Sequence, residues 1–204
     1  MKNQTSGAGS AVANVFIGHH SGLNITSGSR SVGIGGGNPT GSKGPLSSIS
    51  SQSDNTAIGY LSGQNVQSAQ NTLIGSQAGL NVNIGGNNTM VGYNAGSLTT
   101  LGDNNIAIGR SSQECVCNGC HNISFGSHSL SNSSDGSYNI AQGYYALNSN
   151  TEGNYNVAFG CNALCVNTTG VNNIAVGSAS LTSVTTGTCN IGIGVTSGCS
   201  ITTG

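Results

Sequence analysis

Charge is nearly missing from this chain. Only 4% of its 204 residues are Asp, Glu, Lys or Arg, where an ordinary soluble domain carries about a quarter. Tryptophan is absent, aromatic residues make up 4%, and there are two prolines. Too few large apolar side chains remain to offset the ordering entropy of a conventional layered core. Disorder is not implied, because disordered chains combine high net charge with few β-branched residues. Here the formal net charge is −1, and Ile, Val and Thr are frequent. Lys2, Arg30, Lys43 and Arg110 are scattered and form no phosphate-binding stripe, so nucleic acid is not an expected partner. No run of residues approaches the roughly 18 apolar positions of a membrane span. The N-terminus lacks the apolar segment of a secretory signal. The five acidic residues are spread along the chain and offer no carboxylate pair of the kind that cleaves polysaccharides. No catalytic residues, and so no enzyme, are expected.

What is abundant is repetition. The phrase Asn-x-x-apolar-Gly begins at Asn14, Asn55, Asn71, Asn88, Asn105, Asn122, Asn139, Asn156, Asn173 and Asn190, with a degenerate copy at Ser31. From Asn71 to Asn190 the spacing is 17 residues in seven successive intervals. A period of this length marks a solenoid. The expected fold is therefore all-β, a parallel β-solenoid of about eleven coils filling residues 14–204, preceded by an arm or cap over 1–13. The interval from Ser31 to Asn55 is 24. Its additional residues fall in a Gly-, Pro- and Ser-rich segment read as an excursion loop around 36–54.

Each position of the repeat has a physical reading. Gly75, Gly92, Gly109, Gly126, Gly143, Gly160, Gly177 and Gly194 close the apolar phrase, where a sharp corner needs positive φ or close backbone approach. The residue before the glycine is Ile, Val or Phe in nine of ten full copies, with Gln142 the exception. β-Branched residues two positions earlier suit a strand and share its face. The position between them is Ala in five copies, with Phe16, Leu73 and Met90 elsewhere, so the strand is apolar on both faces. One face would fill the coil and the other could meet a neighbouring chain. Stacked coils place the Asn residues in a column, a ladder of side-chain amides spaced about 4.8 Å apart.

The phrases NTAIGYLSG, NTMVGYNAG, NVAFGCNAL and NNIAVGSASL resemble the head repeats of trimeric autotransporter adhesins. They resemble more closely the NTAIGxNAL-type repeats of phage and giant-virus fibre proteins. The similarity covers residues 14–200, although the repeat is longer than in the adhesin heads. It implies a left-handed parallel β-roll with three chains side by side, and a core formed by Ile58, Ile74, Val91, Ile108 and their equivalents. It also implies a structural, adhesin-like role on a virion or extracellular surface, with a cell-surface receptor as partner. The chain stops fourteen residues after Asn190 without a capping segment. An open solenoid end is expected to be covered, either by end-to-end stacking into a filament or by a capping partner.

Other features are weighed against this frame. Cys115, Cys117, Cys120 and His121 have the ligand chemistry for zinc, and Cys117-Asn-Gly-Cys120-His121 matches a c-type haem attachment pattern. Three ligands within six residues make a tight loop, and no aromatic pocket is evident for a porphyrin. The favoured reading is small residues in a return loop, with neither metal nor cofactor. Cys165 and Cys199 share a repeat position two coils apart, too far for a disulfide. His19, His20 and His128 read as surface residues. Gly33 to Gly37 lacks the Lys-Ser/Thr of a phosphate loop and reads as a turn. The columns Thr168/Thr185/Thr202 and Thr169/Thr186/Thr203 raise an alternative function, an ice- or lattice-binding solenoid, but run for only three coils.

Overall fold

The structure, a computed structural model, describes residues 13–38, 40–41, 43–49, 51–83, 85–100 and 102–204. Apart from Ala13, the N-terminal arm expected over 1–13 lies outside the described residues. The chain forms a parallel β-solenoid. Among the described residues eleven three-residue strands, from β1 (Val15–Ile17) to β11 (Ile191–Ile193), pair in chain order in one parallel sheet. Equivalent repeat positions stack on each other, as Thr72↔Thr89, Leu73↔Met90 and Ile74↔Val91 show for β4 (Thr72–Ile74) and β5 (Thr89–Val91).

A second ladder of backbone bonds stacks the far side of each coil. Gly79 N–H donates to Ala95 O at 2.9 Å, Gln113 N–H to Ser129 O at 3.0 Å and Leu164 N–H to Ser180 O at 3.1 Å. The turn residues that feed this ladder are left-handed, with φ near 50° at Leu130, Leu147, Leu164 and Leu181. Such a conformation is uncommon for bulky residues. Here it aims a leucine into the coil.

The interior is reached by the middle residue of each strand. Ala57, Leu73, Met90, Ala107, Ala141, Ala158 and Ala175 are fully buried. This corrects the assignment of Ile58, Ile74, Val91 and Ile108 to the core: Ile58 is 36% and Ile74 37% exposed, and Val91 and Ile108 are only half-buried. The reason is alternation. A three-residue strand in so narrow a coil turns one side chain inward, and its two neighbours must then point out.

The narrow interior also imposes a size rule. Six residues after the strand centre, the turn position completes the same layer. Where the centre is large the turn is glycine (Phe16/Gly22, Leu73/Gly79, Met90/Gly96); in four coils with Ala or Ser at the centre the turn is leucine (Ser124/Leu130, Ala141/Leu147, Ala158/Leu164, Ala175/Leu181), whereas Ala57 faces Gly63, against which Leu73 and Leu46 of the neighbouring coils pack. A Cβ on Gly79 would lie 2.5 Å from Leu73 Cδ2, and one on Gly96 would lie 2.1 Å from Met90 Sδ. In these seven coils one large side chain per layer is thus kept while its source switches sides, as a close-packed core requires.

The switch falls at a polar layer. One apolar cluster ends at Ala107 and the next begins at Leu130. Between them the fully buried Gln113 donates to Ile106 O at 2.9 Å and to Ser124 Oγ at 3.1 Å, and Ser124 also bonds Ser112. Gln113 Oε1 finds no partner among the described residues. An unpaired buried acceptor costs about 1–3 kcal/mol. Gln113→Leu, which installs the leucine used by the coils above, is expected to stabilise the protein by roughly that amount. A higher urea midpoint at unchanged slope would show it; a lower midpoint would mean that the amide network is stabilising.

The residues beyond the ordinary period are confined to a smaller excursion than the 36–54 read from composition. Leu46 and Ile49 are fully buried. Leu46 N–H donates to Ser62 O at 3.3 Å and Pro45 O accepts from Gly22 N–H at 2.9 Å, the bonds of an ordinary turn. The excess loops out before Pro45, where Asn38 and Lys43 form an isolated antiparallel bridge.

Candidate functional surface

Rigidity along one edge of each coil comes from the asparagines. Asn71 Oδ1 accepts the Asn88 N–H at 3.0 Å, Asn88 Oδ1 that of Asn105 at 2.8 Å, Asn105 Oδ1 that of Asn122 at 2.9 Å and Asn122 Oδ1 that of Asn139 at 2.9 Å. The column continues through Asn156, Asn173 and Asn190 at 2.9–3.0 Å. Each amide nitrogen of Asn88, Asn105, Asn122, Asn139, Asn156 and Asn173 also donates to a glycine carbonyl fourteen residues on, at 2.7–2.9 Å. One side chain therefore joins a coil to its neighbour and closes its own loop. At the other end of the strand the corner glycines have φ between 114° and 140°. They approach the next coil so closely that a Cβ on Gly126 would lie 2.5 Å from Gly143 O.

Between these two edges lies the outward face of the sheet. Its columns contain Ile, Val, Thr and Phe and one amide, Gln142, with no charged residue in any strand. Phe125 is 40% and Phe159 36% exposed. Eleven strands about 4.8 Å apart make this strip roughly 50 Å long, and its three-residue strands make it about 10 Å wide. The area is about 500 Å², at the upper end of the apolar patch an ordinary monomer exposes and a large part of what each partner contributes to a standard protein–protein interface.

Aromatic residues collect at both margins of the same coils. On the Asn side, His121, Tyr138 and Tyr155 stack in succession, with centroids 4.9 and 5.0 Å apart and planes within 8°. On the glycine side, His128 stacks on Tyr145 at 5.0 Å, and Tyr144 meets Tyr145 edge-on. Sequence reading passed over these ladders. Their signal was available, because the stacked residues share repeat positions 17 apart.

The remaining candidates do not assemble into a site. Cys115, Cys117, Cys120 and His121 occupy different positions around the coil, and no group of three or more His, Cys, Asp or Glu among the described residues is placed to hold a metal ion. Cys120 Sγ instead bonds Asn118 O and the Asp103 N–H, both at 3.3 Å. Burial, with Glu114 adding to it, pushes the Cys115 thiol up, away from the thiolate a metal requires. All seven cysteines are free thiols. The Thr151, Thr168 and Thr185 hydroxyls donate to the carbonyls of Thr168, Thr185 and Thr202 at 3.0–3.4 Å, so they join coils. Of the two three-coil Thr columns, the one exposed throughout is Thr169, Thr186 and Thr203. A shallow groove of about 420 Å³ lies between Asn65, Gln67, Asn81, Asn83, Leu98 and Thr100, none of them titratable.

Compared with protein families, curated proteins and solved structures, the chain matches none. No helix among the described residues is long and apolar enough to cross a membrane.

Proposed function

We propose that this protein is a non-catalytic fibre subunit that associates with copies of itself through the outward sheet face. The observation that carries the reading is the uncharged, mostly apolar strip that runs over eleven strands with large side chains such as Phe125 and Phe159 exposed on it, a patch at the upper end of what monomers expose and of the kind that marks contact sites. The repeat phrases add the context. Their resemblance to fibre and adhesin heads favours a homotrimer on a virion or extracellular surface, its polar flanks turned toward a cell-surface receptor. End-to-end stacking into a filament is the other mode of self-association.

The test places charge on the face without touching the core. In Phe125→Lys/Phe159→Lys both new side chains project from outward positions of β7 (Ile123–Phe125) and β9 (Val157–Phe159). Burying two ammonium groups against a partner should weaken association at least about 100-fold. The thermal midpoint at concentrations where the parent is monomeric should move by only a few degrees. Association of undiminished strength would show that this face is not the contact.

A further inference from the structure

We infer that Gln142 fixes the register in which copies of the chain associate, holding them parallel and level along the solenoid axis. The inference rests on the reading that the outward sheet face joins copies, and it adds what such a face lacks by itself. Apolar columns repeating about every 4.8 Å seat best against a surface of the same period, which a second copy supplies along the whole strip. The absence of charge removes self-repulsion. That same regularity leaves register weakly determined, because a copy shifted by one coil loses only one coil of contact.

Gln142 breaks the degeneracy. It is the one amide at the position before the corner glycine. It is exposed and pairs with Phe125 on β7 and Phe159 on β9, so its strand β8 (Ile140–Gln142) carries a polar group between two phenylalanines. The aromatic ladders through Tyr138 and Tyr145 flank the same coils. When two copies are level, each glutamine meets the partner's glutamine, and an amide both donates and accepts. When they slip by one coil, each glutamine faces phenylalanine and is buried unpaired. That penalises each slipped register by roughly tenfold or more. A single polar residue in an apolar seam sets register in coiled coils by the same means.

Sedimentation velocity on the full chain tests this. The parent should give one sharp species. Gln142→Leu should keep the fold and associate at least as tightly, but as a broad series of larger species, because slipped copies leave apolar overhangs that recruit more chains. Gln142→Asn, which retains an amide, should restore a single species. A single species for Gln142→Leu identical to the parent would overturn the role of Gln142 and leave the face intact. A parent that is monomeric at all concentrations, or assembly that survives Phe125→Lys/Phe159→Lys, would overturn the face and the register together.

Discussion

Gly126→Ala is expected to destabilise the protein by about 4 kcal/mol or more, a large share of the roughly 5–15 kcal/mol that holds a typical domain folded. Two costs combine. The backbone at Gly126 has φ 139°, a region that L-residues almost never enter, and forcing one there costs about 1–3 kcal/mol. The Cβ would also lie 2.5 Å from Gly143 O and 2.8 Å from Gly143 C, and backbone of the next coil cannot swing aside as a side chain can. Relief requires separating two coils, which breaks the nearest-neighbour stacking on which a repeat array depends. Gly194→Ala is the matched control. Its φ is 118°, yet the nearest atom to an added Cβ is Ser197 Cβ at 4.0 Å. It should cost only the strain, about 1–3 kcal/mol. Urea unfolding followed by circular dichroism separates the two. Equal losses would mean that φ alone, and not the approach of stacked coils, demands glycine at the corner.

Asn122→Leu should cost nearly as much, about 3–5 kcal/mol, by leaving buried polar groups without partners. The Asn139 N–H loses its acceptor, and Gly136 O loses the donor at 2.8 Å. Asn139 Nδ2 loses one of its two acceptors and keeps Gly153 O. The chain contains its own milder variant. Ser31 stands in the column, donates its N–H to Asn14 Oδ1 at 2.8 Å, and accepts the Asn55 N–H on its hydroxyl oxygen at 3.3 Å. Asn122→Ser should therefore retain the inter-coil bond and cost less than half as much as leucine. If leucine and serine are equally tolerated, the ladder does not hold the coils together.

The period, the strands and the corner glycines were legible because each coil repeats the same local chemistry, and a 17-residue spacing leaves few other architectures. The direction of the strand was not. Thr72, Leu73 and Ile74 are all compatible with burial, so alternation gives no phase when both faces are apolar. Hydrophobicity favoured Ile58 over Ala57 as a core residue, and the structure chooses Ala57. The information was present in another form. The exchange of Leu73/Gly79 for Ala141/Leu147 marks the strand centre and the turn as two halves of one layer. The excursion was overdrawn for a related reason, since Leu46 and Ile49 stand in a Ser-rich stretch that composition reads as loop. The cysteine cluster failed as a site because neighbours in sequence are spread around a coil, whereas residues 17 apart, such as Tyr138 and Tyr155, are brought together.

Association through the uncharged sheet face is the central claim, and the mass of the protein in solution tests it most directly. Light scattering across a concentration series should find a discrete particle near three times the 20.1 kDa of one chain. A mass of one chain at every concentration would contradict the claim.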